Sequence, residues 1–171
     1  MRDAVMAAAD SRAAQRVIAR IPAQGSALAL DYGLRRTGVA IGDLALGIAH
    51  PLCTLEARSD DQRIERIAVL VAEWTPVLFV LGLPMHADGV EHSMSQRVRK
   101  FARRLEQRFR IGVQLIDERL SSVEAQSQLR DAGVYGREQK RMLDQVAAQI
   151  ILEAFFSSRH TSHHSSQHGA A

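Results

Sequence analysis

The stretch ALALDYGLRRTGVAIG, residues 27–42, decides the fold. Its first five residues, ALALD, are a short apolar run that stops at the carboxylate of Asp31. A glycine-bearing turn follows, and TGVAIG (residues 37–42) is a second β-like run. Two such runs joined by so short a turn predict a β-hairpin. Residues 47–55 predict a third strand, in which Pro51 implies an edge or a bulge because it has no N–H to give to a ladder.

Downstream the period changes. Ile64, Ile67, Ala68, Val71 and Trp74 recur at helical spacing, with Asp60 or Asp61 placed to cap the first turn and Pro76 to end the helix. VLFVL (residues 77–81) is a continuous apolar run of strand length that suits a central strand covered on both faces, and it enters a loop over residues 82–89. In the next helix Val98, Phe101, Ala102, Leu105 and Phe109 form one stripe. Arg97, Arg99, Lys100, Arg103, Arg104, Arg108 and Arg110 occupy the rest, opposed only by Glu106. Residues 112–116 predict a strand ending at Asp117 and Glu118. Ser121 or Ser122 caps a helix through Arg130, and a final helix covers residues 138–156. Three β runs, a helix, a strand, a helix, a strand and two helices describe one α/β domain, a mixed sheet with helices on its faces.

The 171 residues are enough for one compact domain, which usually hides about two thirds of the surface its unfolded chain exposes. One cysteine, Cys53, forms no internal disulfide and no thiolate zinc site, which points to a reducing compartment. No apolar stretch approaches the roughly 20 residues of a membrane span, so a cytoplasmic location with no membrane partner is expected. Residues 1–25 read as a flexible N-terminal extension. Residues 157–171 read as a disordered tail rich in serine and histidine. The net charge is only +3, but the 22 basic side chains are all arginine except Lys100 and Lys140. Arginine's planar fork matches phosphate, which makes nucleic acid a candidate partner.

Three carboxylates stand out: Asp31 at the end of the first strand, Glu118 just past the last, and Asp144 in the final helix. Acids commonly end strands where the chain meets water. Asp144 is different, because Ala147, Ala148 and Ile151 follow it at three, four and seven residues, so its row borders the buried side. A carboxylate there needs a partner or a metal. If the strand ends bring the three together, they form an all-oxygen cluster of the kind that holds Mg²⁺ or Mn²⁺. Two ions about 4 Å apart suit phosphodiester hydrolysis, one side activating water and the other stabilising the leaving oxygen.

The segments ALDYGLRRTGVAIGD (residues 29–43), VLGLPMHADGVEH (80–92), LIDERLSSVEA (115–125) and LDQVAAQIILEAFF (143–156) together resemble the YqgF family over residues 26–156. The resemblance implies an RNase H-like nuclease domain over that range, a mixed five-stranded sheet with helices on both faces. It also implies a metal-dependent nuclease of Holliday junctions or of the 5′ end of pre-16S rRNA. Asp31, Glu118 and Asp144 are similar to the family's metal-binding acids, with Asp117 able to exchange roles with Glu118. Gly33 and Gly38 match its hairpin glycines, and Arg36 its basic hairpin position, placed to hold the substrate's phosphate. The family often has Asn where this chain has His86, read as a minor substrate-facing group, and Asp88 reads as a turn former. Lys140, one helical turn before Asp144, pairs with that carboxylate or approaches the scissile phosphate, with pairing ranked first. Arg97, Lys100 and Arg104 are expected to track the phosphates of pre-rRNA or branched DNA. Phe101 and Phe109 lie on the apolar stripe, so base stacking there is not expected. The chain is expected to act as a monomer or a homodimer.

Two other readings fit the same residues. One is a nucleic-acid-binding ribosome-assembly factor with little or no catalysis, which the basic helix supports equally. The other starts from Asp31, Tyr32 and Gly33, which also resemble a phosphate loop of actin-like ATPases. Length argues against it, because those enzymes close two domains over the nucleotide.

Overall fold

The computed structural model describes residues 21–85, 93–118 and 136–164, with side chains as far as Arg159. The elements run β1 (Ser26–Tyr32), β2 (Arg36–Asp43), β3 (Ile48–Glu56), α1 (Asp60–Trp74), β4 (Leu78–Leu83), α2 (Ser93–Phe109), β5 (Gly112–Asp117) and α3 (Arg137–His164). The strands form one five-stranded sheet in the order β3-β2-β1-β4-β5. β2 is antiparallel to β1 and β3, whereas β1, β4 and β5 are parallel. The expected mixed five-stranded sheet is therefore present. The helix expected after Ser121 or Ser122, His86, Asp88 and the extension over residues 1–20 lie outside the described residues.

β1 explains why its sequence lacks the polar alternation of a half-exposed strand. Leu28 and Leu30 enter the layer beneath α1 and α2, with Phe79, Leu81, Ile64, Val98 and Phe101. Ala27 and Ala29 enter the opposite layer with Ala148, Ile151, Leu152 and Phe155 of α3. All four are fully buried. The small residues lie under α3, which is why this helix packs so closely on the sheet. Each large apolar side chain removed from water contributes roughly 1.5–3 kcal/mol.

β3 is an edge strand, and its pairing with β2 slips where Val39 opposes Cys53 while Ala40 opposes Pro51. Pro51 thus lies on an edge and beside a bulge. α1 is capped by Ser59, whose Oγ accepts from the Gln62 amide, and not by Asp60 or Asp61, which occupy the first turn. The Gln62 side chain accepts in return from the Arg58 amide at 2.8 Å, a capping arrangement built from Ser and Gln three residues apart. Left-handed Thr75 closes α1 just before Pro76.

β4 outruns its expected end. Gly82 and Leu83, read as loop, continue the parallel ladder opposite Ile116 and Asp117. Arg110, read as a helical cation, instead adopts a left-handed conformation just past α2, with its amide bonded to the Glu106 carbonyl. α3 continues through residues 157–164, read as disordered; Ser157 and Ser158 turn their hydroxyls back onto carbonyls of the preceding turn. No helix among the described residues is long and apolar enough to cross a membrane.

Candidate active site

Asp31 continues the Ala27 and Ala29 side of β1, so its carboxylate emerges on the α3 face at the carboxyl end of the parallel strands. Its two lateral neighbours on that face are glycines. Gly38 is its antiparallel partner on β2, and Gly82 stands beside it on β4, one step beyond the Leu30–Leu81 pair. A β-carbon on Gly38 would fall onto the backbone oxygen of Asp144, and one on Gly82 would fall onto Glu118 Oε1. The missing side chains admit α3 on one flank and the Glu118 carboxylate on the other. Asp117 has the opposite strand parity, in step with Val113 and Leu115 on the α1–α2 side, while its charge still acts on Glu118.

Burial pushes the Asp31 carboxyl up to about 6, with the charge of Asp144 adding to the shift. Glu118 goes up to about 7, first by burial and then by the charges of Asp31 and Asp117. Both groups are therefore held where their negative charge is poorly compensated, which marks functional carboxylates more often than structural ones.

Asp144 has a partner, and it is not Lys140. Arg36 Nε donates to Asp144 Oδ2 at 2.6 Å, while Lys140 is exposed in the opening turns of α3. The register explains this: Arg36 opens β2 two residues before Gly38, over which the Asp144 backbone lies. Among the described residues no three acids, histidines or cysteines draw together tightly enough to hold a metal ion. The donor chemistry nevertheless fits Mg²⁺ or Mn²⁺. Asp31 and Glu118 offer hard carboxylate oxygens, and their raised affinity for protons reflects the uncompensated charge a divalent cation would neutralise.

Arg63 escapes a reading based on apolar period. It is 1% exposed, and its guanidinium reaches Thr37 Oγ1, the Asp60 carboxylate and the carbonyls of Gly33 and Leu34. The guanidinium also lies 4.5 Å from the centre of the Tyr32 ring, and Tyr32 donates its hydroxyl to the same Asp60 oxygen. The signal was available, because residue 63 falls on the Ile64–Ile67 side of α1, where a cation needs several acceptors. Gly82 was also missed: a glycine inside an apolar run marks close approach, here of Glu118.

The basic helix α2 lies across the sheet from the carboxylates, on the Leu28–Leu30 side. Arg97 and Lys100 are exposed, and the Arg97 charge reaches the Tyr32 phenol at the Asp31 end of β1. Arg104, expected to contact phosphate, bonds Asp61 through its guanidinium and lies 3.7 Å from Asp60. Together with Arg108 facing Glu65 at 4.0 Å, it ties α2 to α1.

This sheet order, helices on both faces and acids at the carboxyl end of the parallel strands define an RNase H-like domain. Solved structures of the same fold include the yeast mitochondrial Holliday junction resolvase Ydc2, with a TM-score of 0.54 at 12% identity over 88% of this chain and 85% of that one. Another is Thermus thermophilus RuvC in complex with Holliday junction substrate, with a TM-score of 0.51 at 12% identity over 81% and 97%. The chain belongs to the family described as "RuvX: Holliday junction resolvase", whose profile matches residues 25–158. A relative from Thiobacillus denitrificans named "Putative pre-16S rRNA nuclease" is 56% identical over 137 residues, 80% of this chain and 94% of the relative.

Proposed function

We propose that the protein is a metal-dependent nuclease that hydrolyses phosphodiester bonds, with the 5′ region of pre-16S rRNA as its substrate in the cytoplasm. The observation that carries this reading is the approach of Glu118 to Asp31 through the gap at Gly82. The RNA substrate rests on the name of the 56% identical relative. The family description favours a second substrate, the four-way DNA junction.

In this reading Asp31, Glu118 and Asp144 would hold Mg²⁺ or Mn²⁺, with Arg36 shared between Asp144 and the substrate. When bound, such ions supply Lewis-acid activation of water and charge neutralisation at the leaving oxygen. Arg36 gives a guanidinium to the phosphate beside the cut, and exposed Lys140 a second cation. Arg97 and Lys100 carry the flanking backbone on the other side of the sheet end. Arg104 braces α2 against α1 and is left out of the contact surface.

The test offers precursor rRNA and junction DNA to the purified protein in Mn²⁺ and in EDTA. Cut product from the RNA in Mn²⁺ alone supports the proposal. Binding of both nucleic acids in EDTA without a cut product in either condition would overturn it in favour of an assembly factor.

A further inference from the structure

Leu34 is the exposed apolar tip of a turn held from beneath. Its side chain is 57% exposed, although the chain around it is tightly fixed. The Gly33 amide bonds the Arg36 carbonyl at 2.9 Å, and the Arg35 carbonyl accepts from the Ala57 amide at 3.0 Å. From below, buried Arg63 donates to the carbonyls of Gly33 at 2.8 Å and Leu34 at 3.2 Å. A mobile surface loop would have no need of a buried guanidinium, which is costly to desolvate unless its donors are matched. The fold thus supports a rigid apolar point immediately before exposed Arg35 and half-buried Arg36.

Position gives the point its use. Leu34 follows Asp31 by three residues, so their α-carbons are at most about 11 Å apart. A phosphate held at Asp31 would leave its neighbouring nucleotides within reach of the tip. The two arginines that follow suit a polyanion, whereas a leucine has nothing to offer a phosphate. It can cover the face of a base where stacking is interrupted.

We propose that Leu34 packs against an unstacked nucleobase next to the cleaved bond and directs the enzyme to breaks in base stacking. This rests on the nuclease reading above. The role is one of positioning and specificity, since Leu34 has no group that takes part in the reaction.

The experiment compares wild type, Leu34→Ser and Leu34→Met on two RNA duplexes of equal length in Mn²⁺, one fully paired and one with a single unpaired 2-aminopurine at the cut step. The expected result is a loss of about tenfold in kcat/KM for Leu34→Ser on the unpaired substrate, as for the burial of part of a leucine side chain. The paired duplex changes by less than about twofold, and Leu34→Met retains the preference. Equal processing of both duplexes by wild type and Leu34→Ser would overturn the proposal. A second readout, 2-aminopurine fluorescence on binding in EDTA, separates this idea from the nuclease reading. If wild type cuts neither these duplexes nor precursor rRNA and junction DNA, the nuclease reading fails, while a fluorescence change lost in Leu34→Ser and kept in Leu34→Met still upholds the tip. An identical change in all three proteins rejects it.

Discussion

The Glu118 carboxylate occupies the place where a side chain on Gly82 would begin. Two strands meet there: β4 supplies the gap, and the end of β5 supplies the acid that fills it and faces Asp31. The pairing of a missing side chain with a carboxylate is the clearest sign that this end of the sheet is built to collect negative charge.

Gly82→Ala is therefore expected to displace Glu118 as well as strain β4, since Ile151 also crowds the site. Overpacking of this kind costs typically ~1–3 kcal/mol. Thermal melting should show that loss, and calorimetric titration with Mn²⁺ should show weaker binding in the fraction that remains folded. Unchanged Mn²⁺ affinity would remove Glu118 from the site.

The raised carboxyls set a pH dependence. Asp31 at about 6 and Glu118 at about 7 compare with ordinary values of 3.8 and 4.5. Between about pH 4 and 7 the folded protein holds protons that the unfolded chain has released, so stability in EDTA should fall as pH rises through that window and level off above it. Divalent ions displace those protons. Melting in Mn²⁺ against EDTA should accordingly show a larger stabilisation at pH 8 than at pH 5.5, and an equal effect at both would contradict the assignment.

Arg63→Leu should destabilise the fold by about 3–5 kcal/mol, because it removes the buried charge paired with Asp60 and leaves two turn carbonyls without this donor. Arg63→Lys keeps the charge but not the fork, and should recover only part of the loss. Urea unfolding of both variants measures this directly.

The two faces of α2 should separate in a salt titration. Arg97→Ala and Lys100→Ala are each expected to lower the slope of log affinity against log salt by about 0.7–0.9, as for one lost phosphate contact. Arg104→Ala should leave the slope unchanged and lower the melting temperature by a few degrees, because its charge is spent on Asp61.

How much of this was legible beforehand differs from residue to residue. The strands of the central sheet could be read because both their faces are apolar, Leu28, Leu30, Phe79 and Leu81 on one side and Ala27, Ala29, Leu78 and Val80 on the other, which only a doubly packed sheet covers. Asp31 could be read because it ends such a run. The Arg36–Asp144 pair could not, since 108 residues separate its members and Lys140 stood one helical turn from the same carboxylate. Local spacing favoured the lysine; the register of β2 under α3 favoured the arginine. Only part of the Arg63 role could be read: its place on the Ile64–Ile67 side of α1 signals burial beside Asp60, but two of its acceptors are carbonyls of a distant turn that no side-chain pattern announces.

The proposed nuclease site is organised about Asp31, and the decisive measurement is cleavage of matched precursor rRNA and junction DNA by Asp31→Asn in Mg²⁺ or Mn²⁺. The expected variant is folded, still binds both nucleic acids and cuts neither. Full cleavage by Asp31→Asn would contradict that site.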